Sequence, residues 1–149
     1  MKPNTLFLRL EGPLQSWGDH QSEFVIRRTA EAPTKSGVAG IICAAKGLTR
    51  EQSPQLLEKI SRLAMAVRID RPGVRWWDFH IVGGGKQMRK AGGGIRKDAI
   101  ISLREYLCNA SFLVVLQGDH DLIEDFEIAL RKPRWQLYLG RKCCVPSSP

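Results

Sequence analysis

Thr34, Lys35, Ser36 and Gly37 stand where a polar, cationic turn runs into the apolar stretch "VAGIICAAKG". A helix N-terminus presents unpaired amides and the positive end of its dipole, so a lysine, two hydroxyls and a glycine there suit a phosphate. The plainer reading is that Thr34 or Ser36 only caps the helix. Arg27 and Arg28 precede this turn by a few residues. Two further groups carry the same chemistry. Between Gly83 and Arg104 lie Lys86, Arg89, Lys90, Arg96, Lys97 and Arg104 against the single Asp98, interleaved with two glycine triplets. From Arg131 to Lys142 there are five cations and no acid. In that stretch Arg131 and Lys132 fit the macrodipole at a helix C-terminus, whereas Arg141 and Lys142 flank Gly140 outside the helix and are the better ligand contacts.

Other chemistry finds less support. His80 with Lys86 and Tyr106 supplies, on paper, a base and a cation for metal-independent RNA cleavage. His80, however, sits between Phe79 and Ile81 in an alternating strand, where a structural or contact role is the commoner one. His20, His80 and His120 stand far apart and show no zinc-type partner three or four residues away, so no metal and no cofactor are expected. The turn at Thr34 lacks the glycine-lysine pattern of a nucleotide-hydrolysing loop. Cys43, Cys108 and the adjacent Cys143 and Cys144 suggest no disulfide framework.

The elements that must position these residues follow from the pattern. The 149 residues carry 23 Lys and Arg against 15 Asp and Glu, a net +8 that favours a polyanionic partner. One domain spanning 1–149 is expected. No apolar run is long enough to cross a bilayer and the N-terminus lacks a signal-peptide core, which implies a cytoplasmic protein with no membrane partner. "TLFLRL" reads as a strand. Val38, Ile41, Ile42 and Ala45 recur with helical period and stop at Gly47. "SPQLLEKISRLA" begins a second helix with Ser53 as N-cap, and "MAVRID" is a strand. "RWWDFHIV" and "IISLREYL" read as the two sides of a hairpin arm, and "SFLVVLQG" as a central strand. In "DHDLIEDFEIALRK" Asp121 and Glu124 have capping-box spacing, and "WQLYLG" is a short strand or extended segment. Strand, helix, strand repeated twice is the ferredoxin-like, RRM-like order: an α+β fold with an antiparallel sheet and helices on one face. No RNP motif appears on a strand, which argues against the ordinary RRM route to RNA. Of the four tryptophans, one of the adjacent Trp76 and Trp77 should face outwards.

"LFLRLEGPLQSWG", "RRT", "PTKSGVAGIICAAKGLTRE", "REYLCNASFLVVL" and "LRKPRWQLYLGRK", in that order across nearly the whole chain, resemble the CasD family of CRISPR-associated proteins, the Cas-five group of type I-E. The resemblance implies a non-catalytic subunit of Cascade that holds the 5′ handle of the CRISPR RNA, on a RAMP-type fold with a protruding, basic, glycine-rich thumb at about 76–104. It places Arg27, Thr34, Lys35 and Ser36 along the handle and Gly140, Arg141 and Lys142 in a glycine-containing loop. The partners it implies are the CasC backbone subunit, the large CasA subunit and, through the complex, target DNA. A related branch cleaves precursor RNA, which keeps an endoribonuclease as the rival expectation. Family members run on for roughly another half-domain beyond "LGRK", a continuation this sequence does not contain.

Overall fold

The computed structural model describes residues 4–18, 25–83, 88–90, 92–96 and 98–147. Lys86 and Lys97 lie outside them.

Strand β9 (Ser111–Gln117) is the centre of the main sheet: Phe112, Val114 and Leu116 on one face are fully buried, and Leu113 and Val115 on the other are half-buried. It pairs antiparallel with β1 (Thr5–Glu11) on one side and with β4 (Ala64–Arg71) on the other. Leu6 and Leu10 of β1 join the same core, and Phe7 and Arg9, one residue out of phase, are exposed. Helices α1 (Lys35–Lys46) and α3 (His120–Arg131) pack on each other, and α3 also packs on β1. They contribute Val38, Ile41, Ile42, Ile123 and Phe126 to the core. The short α2 (Pro54–Ser61) seals the α1 side with Leu56 and Ile60.

The second sheet is built on β8 (Ile100–Cys108), which pairs antiparallel along its full length with β5 (Val74–Val82). On its other edge β8 takes the short β2 (Leu14–Gln15) antiparallel and β3 (Ile26–Arg27) parallel. Beyond Val82 and Ile100, β6 (Met88–Arg89) and β7 (Ile95–Arg96) pair antiparallel around a glycine-rich turn. The chain is thus mixed α+β; among the described residues there are three helices and antiparallel sheets in which the β3 pairing is the one parallel contact.

Several local expectations are corrected. Ser53 does not cap α2 with its side chain, its hydroxyl donating instead to the Arg50 carbonyl. The cap of α3 is Asp119, which accepts from the Leu122 amide at 3.2 Å, so the capping residue lies two positions before Asp121. His120 does have an acid four residues on: its Nε2 lies 3.5 Å from Glu124 and 3.9 Å from Asp121. These acids are exposed and sit where negative charge complements a helix dipole. Finally, "WQLYLG" forms no strand. Its backbone is spent elsewhere, with Arg134 and Trp135 donating to the C-terminal carbonyls of α1 and Leu139 exchanging bonds with Cys144 and Ser16.

Candidate nucleic-acid interface

The N-terminus of α1 is fixed by Thr34, in extended conformation, whose hydroxyl accepts from the Gly37 amide at 3.2 Å. Its carbonyl takes the Val38 amide as the first helical bond. Capping therefore uses part of the donor set an anion would need. Gly37 is required for packing, since a Cβ there would lie 2.8 Å from the Trp17 ring. Trp17 itself is buried, donates its indole N–H to Gln15 and its amide to the Thr29 hydroxyl, and so is not a base-stacking surface. Lys35 turns away from the helix start. Its ammonium donates to the carbonyls of Ser61 and Leu63, both at 2.6 Å, closing the C-terminal end of α2. Lys35→Ala is thus expected to cost about 1–2 kcal/mol of stability through two lost charge-assisted bonds. The salt dependence of RNA binding should stay unchanged, as read from thermal melts beside a binding titration.

The positive groups meet on β8. Glu105, its side chain only 4% exposed, accepts from the Thr29 amide at 3.0 Å and pairs with Arg75 at 2.8 Å. Arg75 also donates to the Thr29 carbonyl. A buried carboxylate with two such partners pins the segment after β3 against the hairpin. Arg141 closes the other side. Its guanidinium donates to the backbone carbonyls of Glu105 at 3.1 Å and Arg27 at 3.0 Å, and lies 4.6 Å from the centre of the Tyr106 ring. Burial raises the Tyr106 phenol above its ordinary value, with a Cys143 contact adding to it, so the ring under Arg141 stays neutral. The neighbouring Cys144 thiol is pushed up to about 12, first by burial, and is inert. Gly140 makes the turn possible: its φ is +98°, and a Cβ there would overlap the Ser16 carbonyl.

Strand alternation then sorts the side chains. Arg27, Arg104, Tyr106 and Trp76 belong to one face, since Arg27 is opposite Arg104 and Trp76 opposite Tyr106. Trp77 belongs to the other and carries Arg28 over its ring at 5.7 Å. Both tryptophans are substantially exposed, 48% and 40%. The structure so gathers Arg27, Arg28, Arg104, Arg141 and the adjoining Lys142 from three separate stretches. Gly37 packs on Trp17, whose amide donates to Thr29, two residues after Arg27. Arg89 and Arg96 are carried on the distal strands and Lys90 directly follows the first of them, beyond Ile100, which is about 20 Å along β8 from Tyr106. His80 lies 3.4 Å from Asp78 and opposite Ser102, four residues or about 13 Å from Tyr106, so these two do not form one site. Glu105 and Arg75 were missed in the sequence, although an acid in phase with Leu103 and Leu107 is a signal of a buried partner.

An arginine-lined sheet beside exposed indoles has the chemistry that single-stranded nucleic acids are bound by in general. Residues 5–149 match the family model described as CRISPR-associated protein (Cas_Cas5). The chain is 35% identical to the CRISPR system Cascade subunit CasD of Escherichia coli (strain K12), over 97% of its own length and 68% of that relative's. A solved structure of a CRISPR RNA-guided surveillance complex contains a chain 41% identical, with a TM-score of 0.84. A crystal structure of a Cas protein is 40% identical with a TM-score of 0.70. In each of these two cases the match covers 97% of this chain and 60% of the solved one. The chain belongs to the Cas_Cas5 family of CRISPR-associated proteins.

Proposed function

We propose that this chain is a non-catalytic, RNA-holding part of a Cascade surveillance complex that grips the 5′ handle of the CRISPR RNA. On this reading residues 1–149 form one RRM-like, RAMP-type domain, and the paired β5 and β8 with their distal strands are its thumb, about 76–104. Its neighbours are the CasC and CasA subunits, through which target DNA is reached, and the complex works in the cytoplasm. Among the described residues no helix is long and apolar enough to cross a membrane.

The single observation that carries the reading is Arg141, which ties the carbonyls of Arg27 and Glu105 and so holds cations from distant stretches along one sheet. A sugar-phosphate strand laid there meets Arg27 and Arg104 on one face, with Trp76 beside them for a base. The distal Arg89, Lys90 and Arg96 extend the same positive track outwards. Lys86 and Lys97 belong to this proposal only by sequence.

The test is labelled handle RNA titrated across a salt series with the wild type and with Arg27→Ala plus Lys142→Ala, which leaves the Arg27 carbonyl in place for Arg141. The double variant should flatten the slope by about two, one per phosphate contact, with the melting temperature preserved. An unchanged slope would remove the proposal. A gel run beside it decides the enzymatic rival: discrete cleavage products that vanish in His80→Ala would make the chain an endoribonuclease.

A further inference from the structure

At the other end of α1, roughly 18 Å from Thr34, the chain builds a second basic corner. Gly47, at φ +67°, ends the helix, and the stem of Arg134 packs against it so closely that a Cβ at Gly47 would lie 2.8 Å from Arg134 Cδ. The Arg134 amide donates to Ala45 at 2.9 Å and the Trp135 amide to Ala44 at 3.3 Å, while Gly47 and Leu48 donate to Ala44 and Cys43. The carbonyls that give a helix end its negative charge are thus covered by amides. The acids nearby are also spoken for: Asp125 pairs with Lys46 and Glu127 with Arg131. Lys132 and Arg134 form no ion pair among the described residues. Beside them Trp135 is 47% exposed on a backbone held at both Arg134 and itself. A half-exposed indole on a backbone already fixed, with two unpaired cations close by in sequence, offers a base a stacking surface at reduced entropic cost.

We infer that Lys132, Arg134 and Trp135 form a second contact for single-stranded nucleic acid, separate from the handle grip and at the opposite end of α1. Trp135 stacks on a base and the two cations take the flanking phosphates. The inference goes beyond the handle reading, because these residues contribute nothing to the cluster around Arg141.

The experiment uses the purified chain and homopolymeric uridine oligoribonucleotides, one short enough to fill a single contact and one long enough to span both ends of α1, beside the short handle RNA. The long oligonucleotide should bind more tightly than the short one. Trp135→Ala should remove about tenfold of the long oligonucleotide's affinity, the scale of one lost stacking contact. Lys132→Ala, at an exposed position, should lower its salt slope by about one. Both variants should leave handle binding unchanged. In a ¹⁵N spectrum the Trp135 indole signal, assigned by its loss in Trp135→Phe, should shift with the long oligonucleotide. If that signal stays still, or both variants bind the long oligonucleotide as the wild type does, the inference is overturned. Failure of the handle grip would instead appear as handle binding indifferent to Arg27→Ala plus Lys142→Ala, so the two outcomes are read separately.

Discussion

Gly140→Ala is expected to lower the melting temperature by about 10 °C and to abolish handle binding at physiological salt. Two costs add at this position. A φ of +98° is strained for any residue with a Cβ, and the added methyl overlaps the carbonyl of Ser16. Ser16 cannot retreat freely, because its amide donates to Leu139 at 3.0 Å and its hydroxyl to the Glu105 carbonyl at 3.2 Å. Leu139 is itself buried and receives no slack from Cys144, whose carbonyl it binds at 2.7 Å. The combined penalty is about 3 kcal/mol, which for a domain of this size corresponds to about 10 °C. Relief comes only by moving the loop, and the loop carries Arg141. Gly92→Ala is the control: nothing lies within 4 Å of a Cβ there and its φ is not positive, so melting should stay within the error of the wild type. A Gly140→Ala chain that melts like the control would show that the loop is free, and the account of the grip would fall with it.

How much of this was legible in the sequence depends on the range of each interaction. The ends of α1 were readable because Thr34 and Gly47 act within four residues of themselves, through a side-chain cap and a left-handed turn. The pairing of β5 with β8 was readable because both strands alternate and are bounded by turn residues. The direction of Lys35 was not, since its acceptors belong to residues 26 and 28 positions away. Nor was the need for Gly140 as a close approach, because Ser16 is at the other end of the chain. The three positive stretches were each visible as composition. What composition could not give is that Arg141 reaches Arg27 across 114 positions, while the cations at the far end of the hairpin stand apart. The same limit explains "WQLYLG": its apolar alternation favours a strand, but the end of α1 takes its Trp135 amide and Cys144 its Leu139 amide.

Arg141→Ala should therefore do more damage to RNA binding than removing any exposed cation. If Arg141 were simply one phosphate contact, its loss would lower the salt slope by about one, as expected for Lys142→Ala. Its guanidinium instead makes two hydrogen bonds to backbone carbonyls and covers an aromatic face, each bond to a charged group being worth about 1.5–3 kcal/mol and the ring contact about 0.5–1. Arg141 is partly solvent-exposed, which puts the realised loss toward the low end of those values. The bond to Arg27 is the one that matters for function. With it gone, β3 keeps its two-residue pairing with β8 and the Thr29 anchor on Glu105 and Arg75, but the Arg27 carbonyl between them is released and the Arg27 side chain loses its fixed position. The salt slope should fall by two to three contacts' worth and affinity for handle RNA by about a hundredfold. Arg141→Lys is the sharper variant. It keeps the charge, yet a single ammonium cannot bridge two carbonyls and lie flat on Tyr106, so it should behave like the alanine variant. A lysine that restored the wild-type slope would make Arg141 an ordinary phosphate contact and leave the convergence of the three stretches without a cause.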